Sequence, residues 1–320
     1  MVLYIITCLL LLLLARMGLN MHRKWNRSYV CLLGKTVIVT GANTGIGFYT
    51  AQDFAKRGAK VILACRNRNK AVEAKEKIVF ATGNANVNVE IVDFSSFESV
   101  RTFAQEILAK EERLDILVNN AGAIFLEDST TVDGLSTTMQ VNYFGPFLLT
   151  TLLLDLLKKS APSRVVNLAS VTAHWANLNP DDLNYFSTSF LSQTFYVNYG
   201  NAKLCVVLWT NELARQLKNC GVTANSLHPG IIYTDLLRDT NTLVKCLYQI
   251  LSFLTLKTVE EGAQTSIYVS LSREIENVSG EYFVNCGIGY MPRLARDENL
   301  AKRVWNLSEQ LVMKNYTQKF

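Results

Sequence analysis

The stretch that decides the fold reads Lys35-Thr36-Val37-Ile38-Val39-Thr40-Gly41-Ala42-Asn43-Thr44-Gly45-Ile46-Gly47-Phe48-Tyr49. Its β-branched, largely apolar run from Thr36 to Thr40 predicts a buried strand, and the pattern from Ile46 predicts a helix. Between them the glycines form a G-x-x-x-G-x-G turn. Glycines without a Cβ and free N–H groups at a helix start are typical of a phosphate-binding turn. The motif alone leaves dinucleotide binding and simple chain reversal equally open.

Composition excludes several classes of protein. The chain has 320 residues, 49% of them hydrophobic, and no linker or repeat interrupts the part after residue 35, so we predict one catalytic domain over 35–320. The net charge of +5 is modest and forms no long basic run outside the N-terminus, which excludes nucleic acid as an expected partner. Seven irregularly spaced cysteines without a C-x-x-C motif predict reduced thiols and no metal site.

The N-terminus predicts a membrane anchor. Val2 to Ala15 carries no charge and contains six consecutive leucines, Leu9 to Leu14. In a helix these residues cover about 21 Å, less than the roughly 30 Å of a hydrocarbon core, so a short span and a monotopic anchor both remain open. A cleaved signal peptide is the competing interpretation, but no basic region precedes the leucines and no small-x-small cleavage site is present. We predict a retained anchor over 1–19 and a basic juxtamembrane linker over 20–34.

Charge predicts the orientation of that anchor. Arg16, Arg23, Lys24 and Arg27 follow the apolar run, and no acidic residue precedes Asp53. The positive-inside rule therefore places the catalytic domain in the cytosol. The Asn-x-Ser/Thr tripeptides that would argue for a lumenal domain are interpreted as unused; they begin at Asn26, Asn277, Asn306 and Asn315.

The end of the second predicted strand bears on the cofactor. In an NAD site this strand usually ends in an acid that binds the ribose hydroxyls. Here Val61 to Cys65 leads to Arg66, with Arg68 and Lys70 close behind. A guanidinium can bind a 2′-phosphate through two hydrogen bonds, so we assign Arg66 to NADP(H) and interpret Arg68 and Lys70 as a solvated loop.

Strands alternate with helices along the whole domain. The predicted strands are Thr36–Thr40, Val61–Cys65, Val87–Val92, Leu114–Val118, Arg164–Leu168, Val222–Leu227 and Glu281–Val284. Such alternation predicts a doubly wound parallel α/β sheet of about seven strands, with ligands at the carboxyl ends of the strands. At these ends Asp93 suits the adenine amino group, and Asn119 and Gly122 suit the adenosine ribose. A strand-end hydrogen-bond tie is an equally open role for Asn119.

Two further positions carry polar chemistry in apolar surroundings. Asn142 lies in a long apolar helix predicted from Ser136 to Leu157, where a buried amide needs partners. It either kinks the helix around a water or caps a local break in the backbone, and the helix alone favours the break. Tyr199 and Lys203 are four residues apart and so share one helical face. Packing of a lysine stem on an aromatic ring is the alternative role for that pair.

Together these residues would form a proton-transfer site. Lys203 near the Tyr199 hydroxyl is expected to favour the phenolate and lower the tyrosine pKa from its usual value of about 10. Tyr199 would then donate a proton to a carbonyl oxygen, and Ser170 would hydrogen-bond that oxygen as negative charge develops. Asn142 would hold a water that connects Lys203 to solvent. The hydride would come from the cofactor.

The motifs resemble the short-chain dehydrogenase/reductase superfamily from about Lys35 to Cys286. Its Thr-Gly-x-x-x-Gly-x-Gly turn matches Thr40 to Gly47, its Asn-Asn-Ala-Gly motif matches Asn119 to Gly122, and its Ser-Tyr-Lys-Asn tetrad matches Ser170, Tyr199, Lys203 and Asn142. The resemblance implies a Rossmann-type fold and catalysis by that tetrad. It implies cofactor contacts at Gly41, Asn43, Thr44, Gly45, Ile46, Gly47, Arg66, Asp93, Asn119, Ala121, Gly122, Tyr199, Lys203, Pro229, Gly230 and Thr234.

Within the superfamily, four motifs look like the retinol dehydrogenase group with its membrane-anchored retinal reductases: Ala64-Cys65-Arg66, Asp93-Phe94-Ser95-Ser96, His228-Pro229-Gly230 and Ser279-Gly280-Glu281-Tyr282-Phe283. Members of that group mostly use NADP(H) at the cytosolic face of the endoplasmic reticulum. The chain departs from the group at Leu168-Ala169-Ser170, where Val-Ser-Ser is usual, and at Ala202, where a serine is usual. Neither departure removes a member of the tetrad.

The expected function follows from this resemblance. We expect an NADP(H)-dependent oxidoreductase that interconverts a lipophilic alcohol and its aldehyde, with retinol and retinal as the leading pair and reduction favoured. Another apolar carbonyl, such as an isoprenoid aldehyde, a lipid aldehyde or a steroid ketone, is the rival substrate, and a non-catalytic nucleotide-binding scaffold is the rival class. An apolar lid over about 231–257 would cover the substrate, and ordinary core packing is the alternative role, favoured for some of its apolar residues. A homodimer is left open, and no metal is expected.

Overall fold

The structure, a computed structural model, describes residues 24–124, 126, 129–185, 197–232 and 257–317, with side chains to residue 312. The predicted anchor, most of the predicted lid and Thr234 lie outside these ranges. None of the helices in the described ranges combines the length and the apolar content needed to cross a bilayer.

An eight-stranded sheet forms the centre of the domain, in the order β3-β2-β1-β4-β5-β6-β7-β8. The strands are β1 Thr36–Thr40, β2 Lys60–Cys65, β3 Val87–Ile91, β4 Ile116–Asn119, β5 Ser163–Leu168, β6 Val222–His228, β7 Tyr282–Val284 and β8 Gly287–Ile288. Strands β1 to β7 are parallel, and β8 pairs antiparallel with β7. The doubly wound sheet is therefore confirmed, and the expected strand number of about seven is corrected to eight. The additional strand has only two residues, too few for a periodic pattern.

Helices cover both faces of the sheet. They are α1 Gly45–Lys56, α2 Arg68–Thr82, α3 Phe97–Lys110, α4 Gly145–Lys159, α5 Val197–Gln216, α6 Val259–Leu271 and α7 Glu298–Thr317. Buried residues of α1, α2 and α6 share one hydrophobic core with one face of the sheet, and those of α3, α4, α5 and α7 share the other. Because both faces are covered, central strands such as β1 are buried at every residue.

The long helix predicted from Ser136 to Leu157 is interrupted. A single turn over Thr137–Met139 leads into a π-helical turn over Gln140–Phe144, and regular α-helix resumes at Gly145. Asn142 lies inside the π turn and is buried. A π turn admits one extra residue and leaves backbone groups without their regular partners, so it is a common feature of functional sites.

A buried row of polar side chains, which we call the polar clamp, ties α4 and α5 to the sheet. Asn119 at the end of β4 donates hydrogen bonds from Nδ2 to Thr150 Oγ1 and to Asn167 Oδ1, each at 2.8 Å. Asn167 on β5 in turn donates from Nδ2 to Thr210 Oγ1 at 2.9 Å. Thr150 lies on α4 and Thr210 on α5, so the four side chains fix the spacing of these helices.

The first described residues form an extended strap, residues 24–33, that runs along the domain to the start of β1. Its first residue lies beside the β7–β8 turn, where the Cys286 thiol hydrogen-bonds to the Lys24 carbonyl at 3.6 Å. Further along, the Arg57 guanidinium donates to the carbonyls of Ser28 and Val30 at 2.6 and 3.2 Å. The Cys286 contact therefore holds the first residue of the strap at the β7–β8 turn, and the Arg57 contacts hold its middle beside the end of α1.

Candidate active site

The glycine turn after β1 is closely packed. Gly41 and Gly45 both adopt positive φ, at 65° and 63°, a conformation that glycine reaches without steric cost. Gly47 is different, because a Cβ there would overlap with Asn120 Nδ2 and lie 2.5 Å from the Gly41 carbonyl oxygen. The turn thus uses glycine twice for backbone conformation and once for packing.

The start of α1 is open to an anion. Its N-cap residue, Thr44, makes no side-chain capping hydrogen bond, and the first turn of the helix holds no acidic residue. The position where a Gly45 Cβ would lie has no neighbouring atom within 4 Å. Unpaired N–H groups at a helix N-terminus beside open space are what a dinucleotide's phosphates require, so these residues fit the expected cofactor.

Two alanine substitutions separate the roles of these glycines. We expect Gly47→Ala to lower the melting temperature strongly and to abolish dinucleotide binding, since the new Cβ would push against backbone. Gly45→Ala meets open space and should cost only about 1–2 kcal/mol for the left-handed conformation. Thermal unfolding followed by circular dichroism, with and without NADPH, measures both effects. Equal melting temperatures for the two variants would contradict the packing role of Gly47.

The Asn-Asn-Ala-Gly motif after β4 forms hydrogen bonds with Thr40, the residue before the glycine turn. Asn120 donates hydrogen bonds from its side chain to the Thr40 carbonyl at 2.7 Å and from its backbone N–H to Thr40 Oγ1 at 3.0 Å. The Ala121 N–H also donates to Thr40 Oγ1, at 2.8 Å. The side chain of Asn119 is buried in the polar clamp, so a ribose can reach only the backbone there. Asn120 was not among the predicted site residues, although it lies within the quoted motif.

The carboxyl end of β2 presents Arg66 to solvent, together with Arg68 and Lys70. Arg66 forms no hydrogen bond or ion pair with any other described residue, which leaves its guanidinium available to a phosphate. At the end of β3, Asp93 Oδ1 accepts hydrogen bonds from the backbone and side chain of Ser95, at 2.9 and 2.7 Å. Asp93 therefore shapes its own loop, and its Oδ2 has no such partner among the described residues.

The tetrad residues converge at the carboxyl edge of the sheet. Tyr199 and Lys203 lie one turn apart near the start of α5, and the Tyr199 side chain hydrogen-bonds to that of Ser170, which follows β5. The Lys203 ammonium lies 5.6 Å from the centre of the Tyr199 ring and donates to the Leu168 carbonyl at 2.9 Å. The structure thus brings together the predicted proton donor, its serine partner and the lysine.

The pKa values of the pair differ from the sequence expectation. Burial raises the pKa of Tyr199 to about 12, against a smaller lowering by the Ser170 hydrogen bond. Burial also lowers the pKa of Lys203 to about 8. The expected fall in the tyrosine pKa is absent in this structure because desolvation of the phenolate dominates and the lysine's hydrogen bond goes to a carbonyl, not to the tyrosine hydroxyl.

Asn142 joins the site through Gly122 and Ala123. Its amide donates to the carbonyls of Ala123 and Thr138, both at 2.9 Å, and its Oδ1 accepts from the Ala123 N–H at 2.9 Å. A Cβ built on Gly122 would lie 2.9 Å from Asn142 Oδ1 and 3.2 Å from Lys203 Nζ. The two polar groups therefore approach the same small space, and only glycine at 122 leaves that space free.

Behind Ser170 lies a residue that the sequence interpretation quoted but gave no role. Tyr282 on β7 is buried and donates its hydroxyl hydrogen bond to the Ser170 carbonyl at 3.4 Å. Burial keeps the pKa of Tyr282 far above its usual value, so the group stays a donor. It supports the backbone of the residue that bonds Tyr199.

The His228-Pro229-Gly230 break follows β6. Lys257 crosses it, donating from Nζ to the Pro229 carbonyl at 3.2 Å and to Asn285 Oδ1 at 2.5 Å. Gly230 has a φ of 101°, and the Lys257 side chain occupies the space where its Cβ would lie. Pro229 and Gly230 are thus positioned at the same carboxyl edge as the tetrad. Thr234, the remaining predicted contact, is outside the described residues.

The buried side chain of His228 is expected to make the folded state less stable in acid. Burial lowers its pKa to about 4, with smaller contributions from Lys257 and His174, and its Nδ1 is buried without a partner among the described residues. An unfolded chain binds this proton already below a pH of about 6.5. Since the unfolded state then binds more protons, the free energy of unfolding should fall as the pH drops from about 6.5 to 4.

Urea unfolding at pH 7 and pH 5 checks this expectation. We expect the wild-type protein to lose more stability between these values than His228→Gln does, because glutamine cannot titrate. His174→Gln is the matched control, since that histidine is more exposed and its pKa is lowered less. The same loss in all three proteins would show that other groups govern the acid sensitivity.

Comparison with known sequences identifies the family. The short chain dehydrogenase family matches residues 35–180. The chain is also 42% identical to retinol dehydrogenase 11 of Mus musculus over 298 residues, which cover 91% of this chain and 92% of that protein. It belongs to the short-chain dehydrogenase/reductase family. A second relative, retinol dehydrogenase 12 of Homo sapiens, is 43% identical over 89% of each chain. The resemblance to the retinol dehydrogenase group is thereby confirmed.

Two solved structures share the fold of this chain. A protein of Mycobacterium paratuberculosis is 29% identical and superposes with a TM-score of 0.70, covering 88% of this chain and 95% of its own. The RhlG/NADP active-site complex of Pseudomonas aeruginosa is 26% identical, with a TM-score of 0.63 and coverage of 81% and 97%. The chain is therefore an oxidoreductase of the alcohol and carbonyl type that uses a nicotinamide cofactor.

Proposed function

We propose that this short-chain dehydrogenase is a membrane-anchored, NADP(H)-dependent reductase that interconverts a lipophilic primary alcohol and its aldehyde. Retinal and retinol are the leading pair, because the most similar relatives described above are retinol dehydrogenases. The observation that carries the proposal is the convergence of Tyr199, Ser170 and Lys203 at the edge where the glycine turn and Arg66 also lie.

The chain's own residues would hold the cofactor at both ends. The open N-terminus of α1 would hold its phosphates, and Arg66 would bind the 2′-phosphate. Gly122 leaves free space beside Lys203 and Asn142, which part of the cofactor would fill. Bound NADPH would supply the hydride for reduction.

Proton transfer falls to the tetrad. Tyr199 is protonated over the physiological range because burial raises its pKa to about 12, so it can act as the acid towards a carbonyl oxygen. Ser170, held from behind by Tyr282, donates to the same oxygen as its negative charge grows. Lys203, with a pKa lowered to about 8, and Asn142 form the route by which the proton on Tyr199 is replaced.

The cellular site follows from the N-terminal sequence. We propose that the apolar run Val2 to Ala15 anchors the chain in the endoplasmic reticulum membrane and that the basic residues after it keep the catalytic domain in the cytosol. A substrate dissolved in the bilayer would then be available to the enzyme directly, and NADPH in the cytosol would favour reduction.

The test is turnover by the purified full chain in lipid nanodiscs. We expect NADPH oxidation with all-trans-retinal, and a lower kcat/KM with a long-chain lipid aldehyde or a steroid ketone. Turnover of the steroid ketone but not of retinal would replace the leading substrate. Binding of NADPH without turnover of any carbonyl would instead favour a non-catalytic scaffold.

A further inference from the structure

We propose that the outward face of the strap is a docking surface for an anionic lipid bilayer. This face comprises Lys24, Trp25, Arg27, Tyr29 and Leu33, all of them exposed. The inference rests on the membrane anchoring proposed above and adds a second, separate contact with the lipid. It concerns where the folded domain lies against the membrane and is independent of the reaction.

The inward face of the strap shows that its conformation is fixed by the domain. The Asn26 N–H donates to Gln264 Oε1 on α6 at 3.2 Å, and the Leu32 N–H donates to the Arg57 carbonyl at 2.9 Å. Leu32 is 4% exposed and packs in the core with α1 and α6. The backbone of the strap is therefore fixed on the domain, and its outward side chains are held at fixed positions on the surface.

The outward face of the strap exposes large apolar side chains to solvent. In an extended chain alternate side chains point to opposite sides, and here Trp25, Tyr29 and Leu33 point outwards with 46%, 99% and 80% of their surface exposed. The polar side chains of Asn26 and Ser28 lie between them and are partly buried. A segment that faces water normally exposes its polar side chains and buries its aromatic ones. The strap does the reverse.

The chemistry of this face suits a membrane interface. Tryptophan and tyrosine concentrate at the level of lipid headgroups, where one end of the ring is apolar and the other is wet. Lys24 and Arg27 add positive charge, and the strap contains no acidic residue. Anionic headgroups would therefore be attracted to the face.

The sequence before the strap identifies the occupant. Only eight residues separate Ala15, the end of the apolar run, from Lys24. Even fully extended they span at most about 29 Å, so a membrane that holds the apolar run keeps the strap within that distance. A bilayer is consequently present at high effective concentration, and a soluble protein partner would have to fit into the intervening gap.

Docking through the first residues of the strap would bring the carboxyl end of β7 close to the lipid. The strap begins at the β7–β8 turn, where Gly287 lies next to Lys24. Ile288 on β8 and the following Tyr290 are 62% and 69% exposed at this same end. This end belongs to the edge that also carries the tetrad, so a lipophilic substrate would have a short path from bilayer to Tyr199.

Tryptophan fluorescence of the full chain in nanodiscs tests the proposal. The nanodiscs contain phosphatidylcholine and phosphatidylserine, with bromine on the acyl chains as a quencher. Of the four tryptophans, Trp209 and Trp305 are buried, and Trp175 is 70% exposed on the segment after Ser170. We expect Trp25→Phe to lose more of the quenching seen in the wild type than Trp175→Phe does, because only Trp25 belongs to the strap. Unchanged quenching in Trp25→Phe would overturn the proposal.

A charge variant tests the lipid preference. We expect Lys24→Gln with Arg27→Gln to lose the increase in quenching that phosphatidylserine produces over phosphatidylcholine alone. The matched control removes the same charge elsewhere, with Lys77→Gln and Lys302→Gln, and should keep that increase. If both double variants respond alike, the strap has no specific role. Fluorescence quenching tests the docking surface, whereas turnover tests the proposed function. Turnover of retinal without any quenching would therefore contradict the docking surface and leave the proposed function intact.

Discussion

Replacing Tyr199 with phenylalanine is expected to lower kcat by about 10²–10⁴-fold, the range over which a positioned acid contributes to a rate. The hydroxyl lost in this variant is the only group in the tetrad that combines a hydrogen bond to Ser170 with a pKa high enough to stay protonated. The aromatic ring and its contact with Lys203 are retained, so NADPH affinity and the melting temperature should change little. Steady-state kinetics with retinal and isothermal titration with NADPH measure the two effects.

Tyr268→Phe is the matched control for this variant. That tyrosine lies on α6 on the opposite face of the sheet, and its hydroxyl donates to Glu274 at 3.0 Å. The Tyr268→Phe variant also loses a tyrosine hydroxyl, but one that lies outside the candidate site, so kcat should stay at the wild-type value. A Tyr199→Phe enzyme with near wild-type kcat would show that another group donates the proton and would remove the basis of the proposed mechanism.

The second large effect is expected from Arg66→Asp. Hydrogen bonds to charged groups contribute about 1.5–3 kcal/mol each, so the loss of two bonds to a 2′-phosphate should raise the KM for NADPH by about 100-fold or more. The new carboxylate would repel the 2′-phosphate and accept the ribose hydroxyls of NADH instead. Kinetics with both cofactors should therefore show a shift in preference towards NADH.

Lys70→Asp reverses the same charge four residues away on the solvated side of α2 and serves as the control. Its effect on the KM for NADPH should be several-fold smaller, since only long-range attraction is lost. If the two variants raise the KM for NADPH equally, the whole basic loop selects the 2′-phosphate and Arg66 has no special role.

The sheet could be predicted from the sequence because its strands are buried on both faces. Val37 to Val39 and Ile62 to Leu63 are almost fully buried, and such strands appear in the sequence as continuous apolar runs that end in glycine or polar residues. The same logic located the carboxyl edge and therefore the tetrad. Tyr199 and Lys203 were recognisable because a helix places residues four apart on one face.

Features that depend on three-dimensional packing were not accessible in this way. The π turn around Asn142 depends on its hydrogen bonds to Ala123, which is nineteen residues away in sequence. The direction of the Tyr199 pKa shift depends on how far the fold buries the side chain, which no spacing of residues shows. The contact of Tyr282 with Ser170 joins residues 112 positions apart. Each of these is set by elements that meet only after folding.

The polar clamp of Asn119, Asn167, Thr150 and Thr210 has a consequence for how such an enzyme can diversify. It anchors α4 and α5 to the sheet from inside the core, below the carboxyl edge, by contacts that involve no loop residue. Insertions or substitutions in the loops above that edge can therefore reshape the opening to the substrate while the reacting groups keep their spacing. New specificities can arise on this scaffold without rebuilding its chemistry.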